Sequence, residues 1–399
     1  MLSLASFVLL GLPDGMLGTA WPSMRVTFGA PVSALGLILL VTTAGSVIVT
    51  AFVGRLIRRL GVPTLLAVAG LLAALGYTGY AVAPGLWLVL GVSVLLGASA
   101  GMMDGGLNTA VALTGRQRLL NLLHGAYGVG TALGPLLVTA AILTGSWRPA
   151  YVIQVCLDLV MAVLWLRQRQ RERRRDRARA GAAAPVPATV TDPHPAARWS
   201  RRRYRGVVIA GMSVFFVYTG LEVGAGQWEA SFCRGQLHMS AGATGLAAFG
   251  YWGALTAVRI GLALLPRPIP PQEVVSWGSG IAVLAAAAIW WQPGVAVAVT
   301  GFVVLGGALA GVFPALIALT PVRLGDQRAH DVISWQVGAA AAGAAGLSAL
   351  IGLLIGATSL AALGPAITIL ALIVVATELI LNRLAPIRPH TAARPPVRS

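Results

Sequence analysis

The sequence predicts an all-α integral membrane protein, with twelve transmembrane helices arranged in two six-helix repeat halves. The first observation is composition: 57% of the 399 residues are hydrophobic, 10% are charged, and the mean hydropathy is +0.81. Soluble domains carry about 25% charged residues. The second observation is a series of twelve apolar stretches, most of which reach the ~20 residues needed to cross a bilayer. The third is the distribution of arginine between these stretches.

The twelve stretches follow one another along the chain with one long interruption. The first stretch is apolar like a signal peptide, but it lacks a basic start and is broken by Pro13 and Asp14, so we expect it to stay as the first helix. The sixth and ninth stretches are the shortest. In chain order the predicted spans are residues 3–24, 32–53, 62–83, 85–113, 118–143, 148–167, 206–229, 240–265, 273–291, 294–320, 329–356 and 358–382.

Every basic residue is an arginine, and 26 of the 29 lie in alternate connections or in the C-terminal tail. Only Arg25, Arg148 and Arg234 lie in the opposite set. Because basic residues are retained on the cytoplasmic side, we expect a multi-pass protein of the plasma (inner) membrane with both termini cytoplasmic. The net charge of +17 then faces the anionic leaflet, so the expected partner is the lipid bilayer and not nucleic acid.

One segment divides the chain into two halves. Residues 167–205 carry 13 of the 29 arginines, followed by a run rich in alanine and proline. Its low hydrophobicity and like charges predict a basic, mostly disordered cytoplasmic linker. We therefore expect an N-terminal six-helix bundle over 1–166, a C-terminal bundle over 206–384 and a cytoplasmic tail over 385–399.

The two halves repeat each other's glycines. Gly101 and Gly311 lie 210 residues apart, and so do Gly128 and Gly338. Two six-helix halves joined by a cytoplasmic loop resemble the Major Facilitator Superfamily, in which the substrate site lies between the halves near the membrane midplane. The resemblance covers essentially the whole chain. It implies a monomeric transporter of a small molecule, not an enzyme.

The connection after the second span carries part of that superfamily's signature. Residues 54–61 keep its first glycine and its arginine, Arg55, but Arg58 stands where an aspartate is usual. Arg259, at the end of the eighth span, resembles the repeat counterpart of Arg55. By resemblance these three arginines are candidate gating residues, and a role limited to setting the topology is the alternative.

Polar residues inside the spans carry the candidate chemistry, because a carboxylate at the centre of a membrane helix costs about 2.5–3.5 kcal/mol. Asp104 in the fourth span shares a helix face with Asn108, one turn further on. Asn121, His124 and Tyr127 lie near one face of the fifth span, at a comparable depth. A histidine beside an acid can relay protons or bind a hydroxylated ligand. A packing hydrogen bond and a structural histidine are the alternatives.

These residues also resemble the fucose permease group of sugar:proton symporters. That group has an acid followed four residues later by asparagine in helix 4, matched by Asp104 and Asn108, and a Leu-Asn-Leu motif in helix 5, matched around Asn121. By resemblance Asp104 takes part in proton coupling and sugar binding. Asp14, in the middle of helix 1, matches an acid of the group by helix but not by position, and a cap of the kink at Pro13 is the alternative.

The second half supplies further candidates for substrate binding. An aromatic ring combined with amide and carboxyl groups suits a sugar, whereas a tryptophan can also belong to an interfacial belt. Asp158, midway along the sixth span, receives no role. The candidates are Tyr218, Glu222, Gln227, Trp228 and Gln336.

The energy source follows from the absence of lysine. Without lysine there is no Gly-x-x-x-x-Gly-Lys phosphate loop, so we expect a proton or sodium gradient as the source of energy and no cofactor. The two cysteines, Cys156 and Cys233, lie in or near predicted spans and suggest no metal site. The cavity would open to either side in turn as helices bend at Pro13, Gly105 and Pro314. Two alternatives stay open. One is a proton-driven drug or metabolite exporter, half of whose signature is matched at residues 130–135, and the other is a non-transporting membrane sensor.

Overall fold

The computed structural model describes residues 2–112, 117–179 and 200–386. Within these ranges the chain forms helices and turns and no strand, which confirms the all-α fold. The helices are α1 (Leu2–Phe28), α2 (Ala34–Thr50), α3 (Val53–Leu60), α4 (Val62–Val82), α5 (Leu86–Ala112), α6 (Gln117–Leu143), α7 (Arg148–Arg179), α8 (Arg201–Gly235), α9 (Ala241–Leu264), α10 (Pro271–Trp291), α11 (Val295–Leu309), α12 (Val312–Leu324), α13 (Asp326–Ala357) and α14 (Leu363–Leu384), with a 3₁₀ turn at Leu360–Ala362.

Two predicted spans are each built from two helices. The described residues contain eleven spans that are long and apolar enough to cross a membrane, or twelve when α2 and α3, which meet at 57°, count as one. The tenth span is interrupted at residues 310–311, between α11 and α12. Pro314 explains this break, because it has no N–H to donate to the carbonyl four residues earlier. The helix is interrupted near Pro314 in this conformation, whereas α1 and α5 stay helical through Pro13 and Gly105.

The predicted linker is partly helical at both of its ends. α7 continues to Arg179, well beyond the predicted end of the sixth span, and α8 begins at Arg201. The remainder of the linker, residues 180–199, lies outside the described residues, as do residues 387–399 of the predicted tail. The hydrophobic parts of α7 and α8 therefore stop where arginines become frequent, whereas both helices extend into the arginine-rich segment.

The two halves, α1–α7 and α8–α14, pack against each other through α6 with α9, α2 with α13, and α1 with α8. Glycines permit the closest approach. A Cβ on Gly36 would lie 2.6 Å from the Cα of Ala349, and a Cβ on Gly18 would lie 2.7 Å from the carbonyl oxygen of Gln227. These contacts lie toward the ends of the helices that adjoin the connections at 29–33 and 358–362. We call this the closed end.

The opposite end of the bundle is accessible. Among the described helices, α5 and α12 take no substantial part in the contacts between the halves. The side chains of Asp104 and His124, on α5 and α6, are exposed. These side chains are therefore accessible at the end that carries the arginine-rich connections, which we call the open end.

Candidate functional site

Asp14 and Tyr127 join α1 to α6 inside the N-terminal half. The Tyr127 hydroxyl donates a hydrogen bond to the Asp14 carboxylate. The helices come close enough because Gly15 packs on the Thr131 carbonyl, from which a Cβ would be only 1.9 Å away. Pro135 leaves that carbonyl without its helical donor, so it can face a neighbouring backbone. Two predicted residues from different spans thus form one polar pair.

Asp104, Asn108 and His124 form a second group nearer the open end. The amide of Asn108 donates to the Asp104 carboxylate at 2.8 Å, as the predicted shared face requires. His124 packs edge-on against Phe7, with ring centroids 5.9 Å apart, and interacts electrostatically with Asp104. α6 nevertheless packs chiefly on α1 and α9 and touches α5 only slightly. Asn121 lies in α6, but its side chain is outside the described part of the structure.

The broken tenth span positions an arginine in the C-terminal half. Because Pro314 cannot donate to the Ala310 carbonyl, that oxygen accepts a hydrogen bond from Nε of Arg259 at 2.9 Å. This contact directs the guanidinium toward Glu222, whose carboxylate lies 3.7 Å from Nη2. Arg259 therefore lies partly buried against α11 and pairs with an acid, although the sequence suggested a role at the membrane end of its helix.

Tyrosines surround Glu222. The hydroxyl hydrogen of Tyr218 is shared between two acceptors, the Leu309 carbonyl at 2.8 Å and the Glu222 carboxylate. The Tyr251 hydroxyl donates to the Glu222 backbone carbonyl at 2.7 Å. Across the interface, Tyr127 interacts electrostatically with Asp14, Asp104 and Glu222, and His124 does so with Arg259. The acids of both halves therefore lie near the same part of the interface.

Three predicted substrate residues are placed elsewhere. Gln227 is buried and donates to the Asp14 backbone carbonyl at 2.8 Å, so its side chain bridges the halves at the closed end. Trp228 is fully buried and donates to the Ser348 carbonyl at 2.9 Å. Gln336 is buried and accepts from Thr320 at 2.9 Å. In this conformation these side chains hold helices together and are not presented to a solute.

The three predicted gating arginines lie in different parts of the structure. Arg55 and Arg58 lie exposed on the short helix α3, where the Arg55 guanidinium sits 5.7 Å from the centre of the Phe52 ring. Within the described residues neither forms an ion pair with an acid. Arg259 lies far from them along the fold and is engaged with Glu222. The three arginines thus do not form one gate in this conformation.

Sequence reasoning missed several polar residues. Tyr251, which supports Glu222, is visible in the sequence only as a polar aromatic inside a span. Glu229 is fully buried, and neither of its carboxylate oxygens has a hydrogen-bond partner. Gln154 and Asp158 are bonded to each other in the core of the N-terminal half. The acids were visible in the sequence, but their neighbours come from distant spans.

Similar proteins agree with this architecture. The family model described as Major Facilitator Superfamily matches residues 3–352. An uncharacterized MFS-type transporter, YcaD, of Salmonella enteritidis PT4 is 31% identical over 143 residues, which are 35% of this chain and 37% of that protein. The match therefore spans well under half of that relative.

Solved structures share the fold at low sequence identity. A D-xylose-proton symporter superposes with a TM-score of 0.72 at 14% identity, over 97% of each chain. A peptide transporter POT in complex with sulfate superposes with a TM-score of 0.68 at 13% identity, over 96% of this chain and 94% of that one. The packing of two helical halves against each other and the match over residues 3–352 lead to one conclusion. The chain belongs to the Major Facilitator Superfamily and is a multi-pass membrane transporter.

Proposed function

We propose that this transporter moves a small hydroxylated, sugar-like solute across the plasma membrane by alternating access, coupled to protons. The observation that supports this most directly is the shared polar space between the halves. It collects carboxylates, a carboxamide, a histidine and tyrosine hydroxyls from α1, α5, α6 and α8. A solute bearing several hydroxyl groups can both donate to and accept from such a set.

The solute site is proposed to lie between Asp104 and Asn108 on α5 and the face of α6 that carries His124 and Tyr127. Asn108 and His124 supply groups that can donate and accept, and Tyr127 presents its ring and hydroxyl from the same face as His124. Glu222 and Arg259 close the space from the C-terminal half. Asn121 stays a candidate from the sequence. Gln227, Trp228 and Gln336 are proposed to act indirectly, through the packing of the helices that carry them.

The proposed proton carriers are Asp104 and Asp14. Among the described residues Glu222 is the acid with an arginine in contact, at 3.7 Å. Asp104 accepts from the amide of Asn108, and Asp14 from the hydroxyl of Tyr127, so both hydrogen-bonding partners are neutral. An acid without a cation in contact gains most from a proton when its surroundings close and exclude water. Protonation of these two acids would therefore favour closure around the solute.

The proposed orientation follows from arginine. If the arginine-rich connections are cytoplasmic, the open end faces the cytoplasm and the closed end faces outside. Asp104 and His124 then lie along the release path, and Asp14 lies deeper. The exposed Arg55 and Arg58 would stand at the cytoplasmic rim, where they meet anionic lipid headgroups.

The test is counterflow in liposomes with labelled sugars, with and without a pH gradient. Asp104→Asn should retain sugar counterflow and lose its acceleration by an inward proton gradient, because the side chain keeps its shape but not its titrating proton. Glu273→Gln, at an exposed acid at the start of α10, is the matched control and should behave like the wild type. Full pH-driven uptake by Asp104→Asn would overturn the coupling assignment.

An exporter is the second candidate, and one packing feature favours it. The half-matched antiporter signature on α6 packs tightly against α1: a Cβ on Gly130 would lie 1.9 Å from the Val8 carbonyl oxygen, and one on Gly134 would lie 2.4 Å from that of Leu12. The same liposomes decide between the two. Extrusion of hydrophobic cations, without sugar counterflow, would establish the exporter, and ligand binding without any flux would establish a sensor.

A further inference from the structure

A chamber in the core of the N-terminal half is separate from the contacts between the halves. It has a volume of about 100 Å³ and is lined by α1, α2, α4, α5 and α7, without a residue from the C-terminal half. This volume accommodates several water molecules. Asp14 lies at its border with the shared polar space, and Asp158 lies in its wall on α7. The chamber is thus a largely apolar cavity with a small number of polar groups in its wall.

Asp158 is 5% exposed and Gln154, one turn earlier on α7, is 1% exposed. Nε2 of Gln154 donates to the two carboxylate oxygens of Asp158 at 3.2 and 3.1 Å. It also donates to the Leu9 carbonyl at 3.3 Å, an oxygen left free because Pro13, four residues later, has no N–H. Both hydrogens of the amide are thereby used, and Oε1 of Gln154 stays buried without a partner.

Two hydroxyl groups in the chamber wall, those of Thr42 and Ser99, have also used their hydrogens. Thr42 donates to the Ile38 carbonyl at 2.9 Å, and Ser99 donates to the Ala69 carbonyl at 2.7 Å. Their oxygen atoms can still act as acceptors toward the chamber. With Asp158 and Gln154 they supply several acceptor oxygens to the wall, and Tyr77 supplies a hydroxyl that can donate.

Among the described residues, Asp158 has no partner of opposite charge. The side chains that line the described chamber include no arginine and no histidine. The titratable groups that face Asp158 are Tyr77 and Tyr80 from α4, Tyr151 from α7 itself and Asp14 from α1, and each is neutral or negative. A buried carboxylate needs a positive partner or a proton, since an unpaired buried charge is very unfavourable.

We propose that this chamber is a binding site for a monovalent cation, a sodium ion or a proton from the aqueous phase, which neutralises Asp158. Asp158 supplies the negative charge, and Oε1 of Gln154 with the hydroxyl oxygens of Thr42 and Ser99 supplies neutral acceptors. Oxygen ligands of this kind suit a hard cation. The proposal depends on the chamber alone, so it can fail while the proposed transport function holds, and the reverse.

Thermal unfolding of the purified full-length protein tests the proposal without transport. The melting temperature Tm is measured in sodium chloride and in choline chloride at equal ionic strength, each at mildly acidic and mildly alkaline pH. A saturating cation should raise Tm by about 2–3 °C. Asp158→Asn keeps the shape of the side chain without its charge and should lose that rise. Glu273→Gln, at an exposed acid far from the chamber, is the matched control and should keep it.

The outcomes separate the two cations. A rise with sodium that Asp158→Asn abolishes identifies a sodium site, and a rise on acidification that is smaller in Asp158→Asn than in the wild type, without any effect of sodium, identifies a proton site. An equal response of Asp158→Asn and the wild type to both would overturn the proposal. If Asp158→Asn does not fold, Gln154→Glu replaces it. This second carboxylate should enlarge the dependence on cations, and an unchanged dependence would equally overturn the proposal.

Discussion

The pairing of Arg259 with Glu222 can be tested by a double-mutant cycle. The charged atoms lie 3.7 Å apart, and the side chains are 22% and 14% exposed. At an effective dielectric constant of about 20 their attraction is about 4.5 kcal/mol, against which the cost of removing both charges from water must be set. Removing one partner leaves the other charge uncompensated, which costs about 3 kcal/mol in a site that is not fully buried.

These free energies convert into measurable shifts in Tm. For a chain of 399 residues, an unfolding entropy of about 2.1 cal/mol/K per residue makes 1 kcal/mol equal to about 1.2 °C. Glu222→Gln should therefore lower Tm by about 3–4 °C. Arg259→Gln should lower it by about 4–5 °C, because it also loses the hydrogen bond to the Ala310 carbonyl, worth about 1 kcal/mol.

The double variant shows whether Glu222 and Arg259 act as a charge pair. Glu222→Gln combined with Arg259→Gln has no charge left to compensate, so only the lost carbonyl bond should remain, with a decrease of about 1–2 °C. Differential scanning fluorimetry in detergent measures all three variants. Arg267→Gln, an exposed arginine on the connection after α9, is the control and should leave Tm unchanged. A decrease in the double variant equal to the sum of the single decreases would refute the charge pairing.

Two further predictions concern packing. Gly15→Ala should lower Tm by about 1–4 °C, because its Cβ would lie 1.9 Å from the Thr131 carbonyl oxygen and must push α1 from α6, whereas Gly253→Ala, whose nearest neighbours are at 3.8 Å, should have no such effect. Glu229→Gln should leave Tm within about 1 °C of the wild type at mildly acidic pH and exceed it at alkaline pH, because a charged Glu229 would be buried without a donor. Parallel pH curves for the two proteins would contradict this.

Local periodicity and charge predicted much of the fold. The spans follow from length and hydropathy, and the hydrogen bond between Asp104 and Asn108 follows from their spacing of four residues. Pro314 was a predicted site of distortion in the tenth span. The sequence also placed Tyr127 on the same face of α6 as His124, although not the contact of Tyr127 with Asp14.

The remainder of the site depends on contacts between distant spans. Nothing local to Arg259 shows that a proline some fifty residues later frees the carbonyl that holds it. From the sequence, Gln227 is a candidate amide for binding the substrate. In the structure Gly18 lets the backbone of Gln227 approach α1, and the Gln227 side chain donates to the Asp14 carbonyl. Asp158 received no role because its partners, the Leu9 carbonyl and the chamber wall, come from other helices. Residue type and spacing identify candidates, but tertiary packing decides which of them meet.

The glycines of the closed end also affect how much side-chain order changes when the two halves move apart. At Gly18 and Gly36 the opposing half approaches backbone directly, so no side chain of these residues has to be immobilised when the halves meet or released when they part. The entropy cost of ordering side chains, up to about 2 kcal/mol for long ones, is avoided at these positions. Opening and resealing this end therefore depend mainly on the area that separates and on the hydrogen bond from Gln227 to the Asp14 carbonyl. Such a surface can part and re-form many times with little change in internal order.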